Sequence, residues 1–250
     1  MNRIKAVGFD LFNTLITVEP HALDEAESRM IRSMRQNGLS LDKEPFKKAY
    51  REAALRFVKE AQKDGRETHN RFWISAALQN HGNSIPPDDP RIAAAVNAYF
   101  SAFPQYCHLI PGTREMLGTL RDSYRLGLLS NFTHAPAAIK IIDGVGLTSF
   151  FDAVLISGAL GFRKPHPFVF RRLIEQLGVE KNEVLYVGDD PEPDITGAQR
   201  AGINPVWTTY VRDRNIPPPR GVLSRSSQEA DQNVPRISTW KDLFTLLEKE

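Results

Sequence analysis

A chain of 250 residues, 41% hydrophobic and 25% charged, has the composition of an ordinary globular protein and is long enough for one large domain or two unequal ones. Its formal net charge of +2 comes from scattered rather than massed Lys and Arg, so neither nucleic acid nor a membrane is expected as a partner. The single cysteine, Cys107, reads as a buried apolar thiol, "MNRIKAVGFDLF" is no signal peptide, and no run reaches membrane-spanning length, so a cytoplasmic location is expected.

The first element is a short β-rich run, "IKAVGFD", ending in Asp10. From about His21 to about Phe103 the texture changes. "LDEAESRMIRSMRQNG", "EPFKKAYREAALRFVKEAQKDG", "NRFWISAALQNHG" and "PRIAAAVNAYFSAF" carry helical periodicity and almost no strand pattern. "NHGNSIPPDDP" reads as a loop within that stretch. Beyond it, the β-rich runs "RLGLLSN", "FDAVLIS", "EVLYVGD" and "NPVWTTY" alternate with the helical segments "GTREMLGTLRDS", "APAAIKIIDGVG", "PFVFRRLIEQLG" and "DITGAQRAG". Gly178 and Gly202 close two of these as C-caps. Such alternation predicts right-handed βαβ units and an α/β fold with a parallel sheet covered on both faces. The all-helical stretch is then an insertion after the first strand, placed to act as a lid. The expected division is a core of 1–17 and 106–250 and a helical cap of 18–105. A Pro-, Ser- and Arg-rich stretch from about Asn215 to Pro235 reads as a long surface loop, and "STWKDLFTLLEKE" as a capped amphipathic helix.

In an open parallel sheet, ligands bind in the crevice outside the carboxyl ends of the strands. Asp10 follows the first strand, and Ser130 and Asn131 the second. Lys164, in "GFRKPHP", lies just past the third, and Asp189, Asp190 and Asp194, in "VGDDPEPD", follow the fourth. Each alone has an ordinary explanation as a turn former, a helix cap or a solvated loop residue. Taken jointly, they bring a carboxylate, a hydroxyl, an ammonium and a carboxylate cluster to one crevice.

With "FDLFNTL", "LLSNFT", "GFRKPHPFVF" and "YVGDDPEPDITGAQRAG" in this order, the chain resembles the haloacid dehalogenase-like hydrolase superfamily, in the form with a helical cap after the first strand. The likeness covers nearly the whole chain. It implies a Rossmann-like, doubly wound core and nucleophilic attack by Asp10 on a phosphoryl or carbon centre, followed by hydrolysis of the aspartyl intermediate. It further implies that Thr14, Ser130, Asn131 and Lys164 contact the substrate anion, and that Mg²⁺ is held by Asp10, Asp189, Asp194 and the main-chain carbonyl of Phe12. The implied partner is a small molecule, a phosphorylated metabolite or another small anion.

Phe12 departs from the phosphatase pattern of that superfamily, which has a second Asp two residues after the nucleophile as general acid/base. General acid/base help is worth about 10²–10⁴ in rate. Acyl phosphates, aryl phosphates and halides need that help least. The superfamily's 2-haloacid dehalogenases also carry an aromatic residue at this position and a Ser-Asn in the second motif, so Phe12 and "LSN" point toward dehalogenation. The charge count points the other way: Asp10, Asp189 and Asp194 against Lys164 call for a divalent cation, and Mg²⁺ suits hard oxygen ligands. The metal-independent dehalogenases have small polar residues where Asp189 stands, and no arginine just before "EPFKKAYREA" clearly matches their halide-binding arginine. The leading expectation is a Mg²⁺-dependent phosphohydrolase lacking its usual acid/base. The alternatives are a 2-haloacid dehalogenase-type hydrolase and a catalytically weak protein that binds a phosphometabolite. His69, Asn70, Arg71 and His134 are the residues that could replace the missing acid/base.

Overall fold

The computed structural model describes residues 3–219 and 229–248, so 220–228 of the expected surface loop lie outside the described residues. The strands are β1 (Ala6–Phe9), β2 (Ile16–Val18), β3 (Cys107–Leu109), β4 (Arg125–Ser130), β5 (Ala153–Ile156), β6 (Val184–Gly188), β7 (Asn204–Thr208) and β8 (Arg236–Ile237). The helices are α1 (Ala22–Gln36), α2 (Lys43–Asp64), α3 (Asn70–Gln79), α4 (Pro90–Phe100), α5 (Thr113–Arg121), α6 (Ala135–Gly144), α7 (Ser157–Leu160), α8 (Pro167–Leu177), α9 (Gly197–Ala201), α10 (Tyr210–Asp213) and α11 (Trp240–Leu247). Among the described residues no helix is long and apolar enough to cross a membrane.

Six strands form one parallel sheet in the order β5-β4-β1-β6-β7-β8. Every residue of "AVGF" in β1 and "VLYVG" in β6 is buried, as befits strands covered on both faces. On one face, Val7, Phe9, Leu126, Leu128 and Val187 join a core that continues into α5, α6 and the inserted helices. On the other, Ala6, Leu129, Leu155 and Tyr186 pack on Val169, Phe170 and Leu173 of α8. The chain steps from β1 outward to β4 and β5 and returns to place β6 on the other side of β1. That reversal opens the crevice beside β1.

Two glycines let α8 press against the sheet. Gly8 and Gly127 are register partners on β1 and β4. A β-carbon on Gly127 would lie 2.6 Å from a Leu173 methyl, and one on Gly8 would lie 2.8 Å from the Tyr186 ring.

Helices α1–α4 stand between β2 and β3, which pair antiparallel with Ile16 opposite Leu109 and Val18 opposite Cys107. Strands of three residues are too short to show alternation, so the sequence gives no hint of this ribbon. Burial there pushes the Cys107 thiol up to about 12 and leaves it inert. Within the insertion, α1 packs along α4 and α2 along α3. The buried face of α1 runs along Ala22, Ala26, Met30 and Met34, a spacing of four, with Glu27 and Ile31 buried beside that stripe.

The link from α2 to α3 is clamped to the loop after α7. Gly65, left-handed at φ 71, accepts a bond from Arg163 N (2.9 Å), and Glu67 N donates to Gly161 O (3.0 Å). Between them Arg66 forms an antiparallel bridge with Phe162. The Glu67 carboxylate, only 3% exposed, accepts from Ser157 Oγ at 2.5 Å and lies 3.5 Å from the Arg163 guanidinium.

A Gly-to-Ala change at a site that tolerates it stabilises by about 0.4–1 kcal/mol. At Gly127 the clash with Leu173 reverses the sign, because overpacking costs about 1–3 kcal/mol. Gly127→Ala is therefore expected to lower the free energy of unfolding, measured by urea denaturation.

Candidate active site

The crevice beside β1 is built from strand ends. Asp10 extends β1 by one residue, its N–H donating to Val187 O of β6 at 2.9 Å, and its side chain is nearly closed off at 10% exposure. The chain then doubles back: Leu15 N and Ile16 N both donate to Leu11 O, with Asn13 in the left-handed region at φ 61. This tight turn buries Thr14. The Thr14 and Ser130 hydroxyls are both buried with no hydrogen-bond partner among the described residues. Orphaned buried hydroxyls at or past the ends of strands of the same sheet are ready donors for an anionic ligand.

Lys164 reaches the same point from the loop after α7. Its ammonium donates to Asp10 Oδ1 (2.6 Å), Asp194 Oδ1 (2.6 Å) and the Tyr186 hydroxyl (2.9 Å), which fills all three of its donors. Burial alone would discharge it, but Asp10 and Asp194 outweigh burial and hold its pKa well above the ordinary lysine value. Burial pushes the Asp10 carboxyl up to about 6, with Lys164 opposing the rise and Asp194 adding to it. Asn131 is taken up by the lysine's backbone. Its Oδ1 accepts from Lys164 N (2.8 Å) and its Nδ2 donates to Lys164 O (3.0 Å), so both ends of the amide clamp the lysine's main chain.

Tyr186 is a member of this site that sequence reasoning missed. Its hydroxyl donates to Leu129 O (3.0 Å) and thereby turns a lone pair toward Lys164. On a β strand it reads as one more apolar core residue, and only its phenolic oxygen could have signalled a second role.

After β6 the chain winds through a wide π-type turn, Pro191–Thr196, whose last three residues open the segment that the sequence reads as helical. Pro191 and Pro193 lack the N–H groups a regular first turn would use. The turn folds Asp194 back so that its Oδ2 accepts from Asp190 N at 3.0 Å. Gly188 makes this possible, since a β-carbon there would run into the Asp194 side chain. Carboxylate oxygens of Asp10, Asp189 and Asp194 thus lie within 4.8 Å of one another. An octahedral ion with bonds of about 2.0–2.1 Å spans ligand pairs of roughly 3–4 Å, so this all-oxygen set fits Mg²⁺ after a small contraction.

Phe12 points away from acid/base chemistry. Its ring stacks on Phe132 at 5.2 Å and 12°. Of the residues that could replace the missing group, His69 and His134 meet across the boundary between insertion and core, with ring centroids 5.2 Å apart. Arg71 instead lies over the exposed Phe72 ring, and Asn70 is fully buried among the inserted helices. Burial first, then His134 and Arg71, lowers the His69 pKa to about 4, and burial also lowers that of His134.

A family model described as haloacid dehalogenase-like hydrolase matches residues 4–202. The chain belongs to the haloacid dehalogenase-like hydrolases. Among its relatives, the glyceraldehyde 3-phosphate phosphatase of Pyrococcus abyssi is 31% identical over 208 residues, covering 83% of this chain and 82% of that one. Among solved structures, a 2-haloacid dehalogenase from Pseudomonas syringae pv. Tomato DC3000 superposes with a TM-score of 0.73 at 22% identity, over 98% of this chain and 99% of that one. The HAD-hydrolase YfnB of Bacillus subtilis, bound to magnesium, superposes with a TM-score of 0.62 at 20% identity, over 98% and 99%. These structures share the hydrolase fold, a Rossmann-like parallel sheet with helices.

Two outcomes are expected from this geometry. A hydrogen bond to a charged group is worth about 1.5–3 kcal/mol, so Tyr186→Phe should lower hydrolase turnover roughly 10-fold or more, in kcat rather than KM. His69 should stay neutral down to a pH near its folded value of about 4. Between there and 6.5 the unfolded chain takes up a proton that the folded chain refuses, so this group's contribution to stability falls as pH drops through that window. An NMR titration of the His69 ring that shows no change between about pH 5 and 7 would bear this out.

Proposed function

We propose that this hydrolase is a Mg²⁺-dependent phosphohydrolase that attacks phosphorus with Asp10. The observation that carries the reading is the gathering of the Asp10, Asp189 and Asp194 carboxylates within 4.8 Å of one another, with the Lys164 ammonium paired to Asp10 and Asp194. Three negative charges less one positive leave −2 before any anionic substrate enters, and a divalent cation relieves that excess. Phosphatase relatives that cover most of the chain, and a magnesium-bound structural relative, support it.

Asp10, Asp189, Asp194 and the Phe12 carbonyl would hold the ion, which when bound supplies positive charge to the phosphoryl oxygens. The chain's own residues do the rest. Asp10 attacks the phosphorus and the bond to the leaving oxygen breaks. The Thr14 and Ser130 hydroxyls receive phosphoryl oxygens, and the Lys164 ammonium, its own donors held by Asp10, Asp194 and Tyr186, lends its charge to them, an electrostatic form of catalysis suited to phosphoryl transfer. Asn131 and Tyr186 hold Lys164 for that task. Water then hydrolyses the aspartyl phosphate. Residues 18–105 act as a cap over the crevice, docked through Glu67 onto Ser157. Because Phe12 can neither give nor take a proton, the favoured leaving groups are weak bases. The same feature supports a second reading, in which Asp10 displaces halide from a 2-haloacid without metal. Any substrate is a small anion.

Phosphate and halide release are to be assayed in parallel, with and without Mg²⁺, using acetyl phosphate and 2-chloropropionate. The expected result is Mg²⁺-dependent phosphate release, abolished by EDTA and by Asp10→Asn. Phe12→Asp should raise hydrolysis of alkyl phosphates, by up to about 10²-fold. Halide release that persists in EDTA would replace the phosphohydrolase with the dehalogenase.

A further inference from the structure

A run of touching rings leads from the turn after the nucleophile into the inserted helices. Phe12 stands two residues past Asp10 and Phe132 two past Ser130, and the two rings stack. From the cap, Phe100 approaches Phe132 at 5.3 Å and Phe103 meets it edge-on at 6.0 Å. The run continues with Phe100 stacked on His134 at 4.7 Å and 14°, and ends where His134 meets His69. Asp10, Thr14, Ser130 and Lys164 are buried, as are Phe100 and Phe103, whereas Phe12 and Phe132 stay partly exposed, so these two rings are the accessible end of the seam. Each imidazole accepts a main-chain N–H at Nδ1, from Arg71 N and from Ala137 N, both at 3.2 Å. The ring proton is therefore on Nε2, and each histidine offers a neutral donor at the far end of the run.

We propose that this aromatic seam is the leaving-group pocket and that it selects aryl phosphate monoesters; the inference rests on the phosphohydrolase reading and names its substrate class. Three physical arguments converge on it. Planar groups gain about 0.5–1.5 kcal/mol from stacked or edge-on rings beyond their area burial. The run of rings gives the several hydroxyls of a sugar phosphate few partners, and each hydroxyl buried unpaired costs about 1–3 kcal/mol. A phenolate, whose acid has a pKa of about 10, departs without the proton that Phe12 cannot supply. An alkoxide, with a basicity near that of hydroxide at about 15.7, does not.

In the first step the Asp10 carboxylate oxygen bonds to phosphorus as the P–O(aryl) bond breaks and its electron pair leaves on the phenolate. In the second, water attacks phosphorus and the aspartyl bond breaks, restoring the carboxylate and releasing phosphate. The two protons of that water end on the phosphate and on the phenol.

The test compares phenyl phosphate, glycerol phosphate and acetyl phosphate as substrates in Mg²⁺, with binding of phenylphosphonate and methylphosphonate followed by calorimetry. Phenyl phosphate should exceed glycerol phosphate in kcat/KM by about 10²-fold or more. Phenylphosphonate should bind about 10-fold more tightly than methylphosphonate. Phe132→Leu, at a half-buried position that keeps its apolar character, should shrink both ratios several-fold. Equal hydrolysis of phenyl and glycerol phosphate, with acetyl phosphate turned over, overturns the aryl pocket and leaves the phosphohydrolase standing. Acetyl phosphate refused in Mg²⁺ overturns both. Ratios that Phe132→Leu leaves unchanged in a folded protein also overturn the pocket.

Discussion

The ammonium of Lys164, held 2.6 Å from both Asp10 and Asp194, is the contact on which the rest of the site depends. Its partners come from two distant segments, Asp10 after β1 and Tyr186 with Asp194 in and just after β6, and the two carboxylates would repel one another in so dry a setting without it. Removing one member of such a buried group leaves uncompensated charge and costs about 3–5 kcal/mol. Side chains this costly to bury persist where chemistry uses them. The ammonium meets only part of the charge, which is why the carboxylate excess carries the functional reading.

The surrounding fold supplies position. The reversal of chain direction beside β1 brings the ends of β1, β4 and β6 to one crevice. Small residues then permit close approach: Gly8 admits the Tyr186 ring over the sheet, and Gly188 admits the stem of Asp194. Asn131 fixes the lysine's peptide from both sides while Tyr186 fixes its tip. Charge, main chain and side-chain terminus are thus set by three different elements, and none depends on a flexible surface loop.

The fold was largely legible because a parallel sheet writes apolar runs into the chain. β1, β4, β5, β6 and β7 all fall on the runs that composition and spacing single out. β2, β3 and β8 have two or three residues each and leave no periodic trace, so tertiary pairing alone defines them. At the site, the ionisable residues announce themselves, since carboxylates and a lysine after apolar strands demand explanation. The roles of Asn131 and Tyr186 do not, because a turn former and a core aromatic look the same whether or not they hold a lysine. The run of rings is equally silent: Phe100 and Phe132 are separated by more than a whole strand and helix, and an amphipathic helix does not disclose which of its aromatics faces a neighbouring unit.

The clamp between Gly65–Glu67 and Gly161–Arg163 ends one peptide short of Lys164. Lifting the helical unit away from the sheet therefore means parting main-chain bonds that abut the lysine's own amide. The docking of the helical insertion and the tether of the buried ammonium therefore share one stretch of backbone.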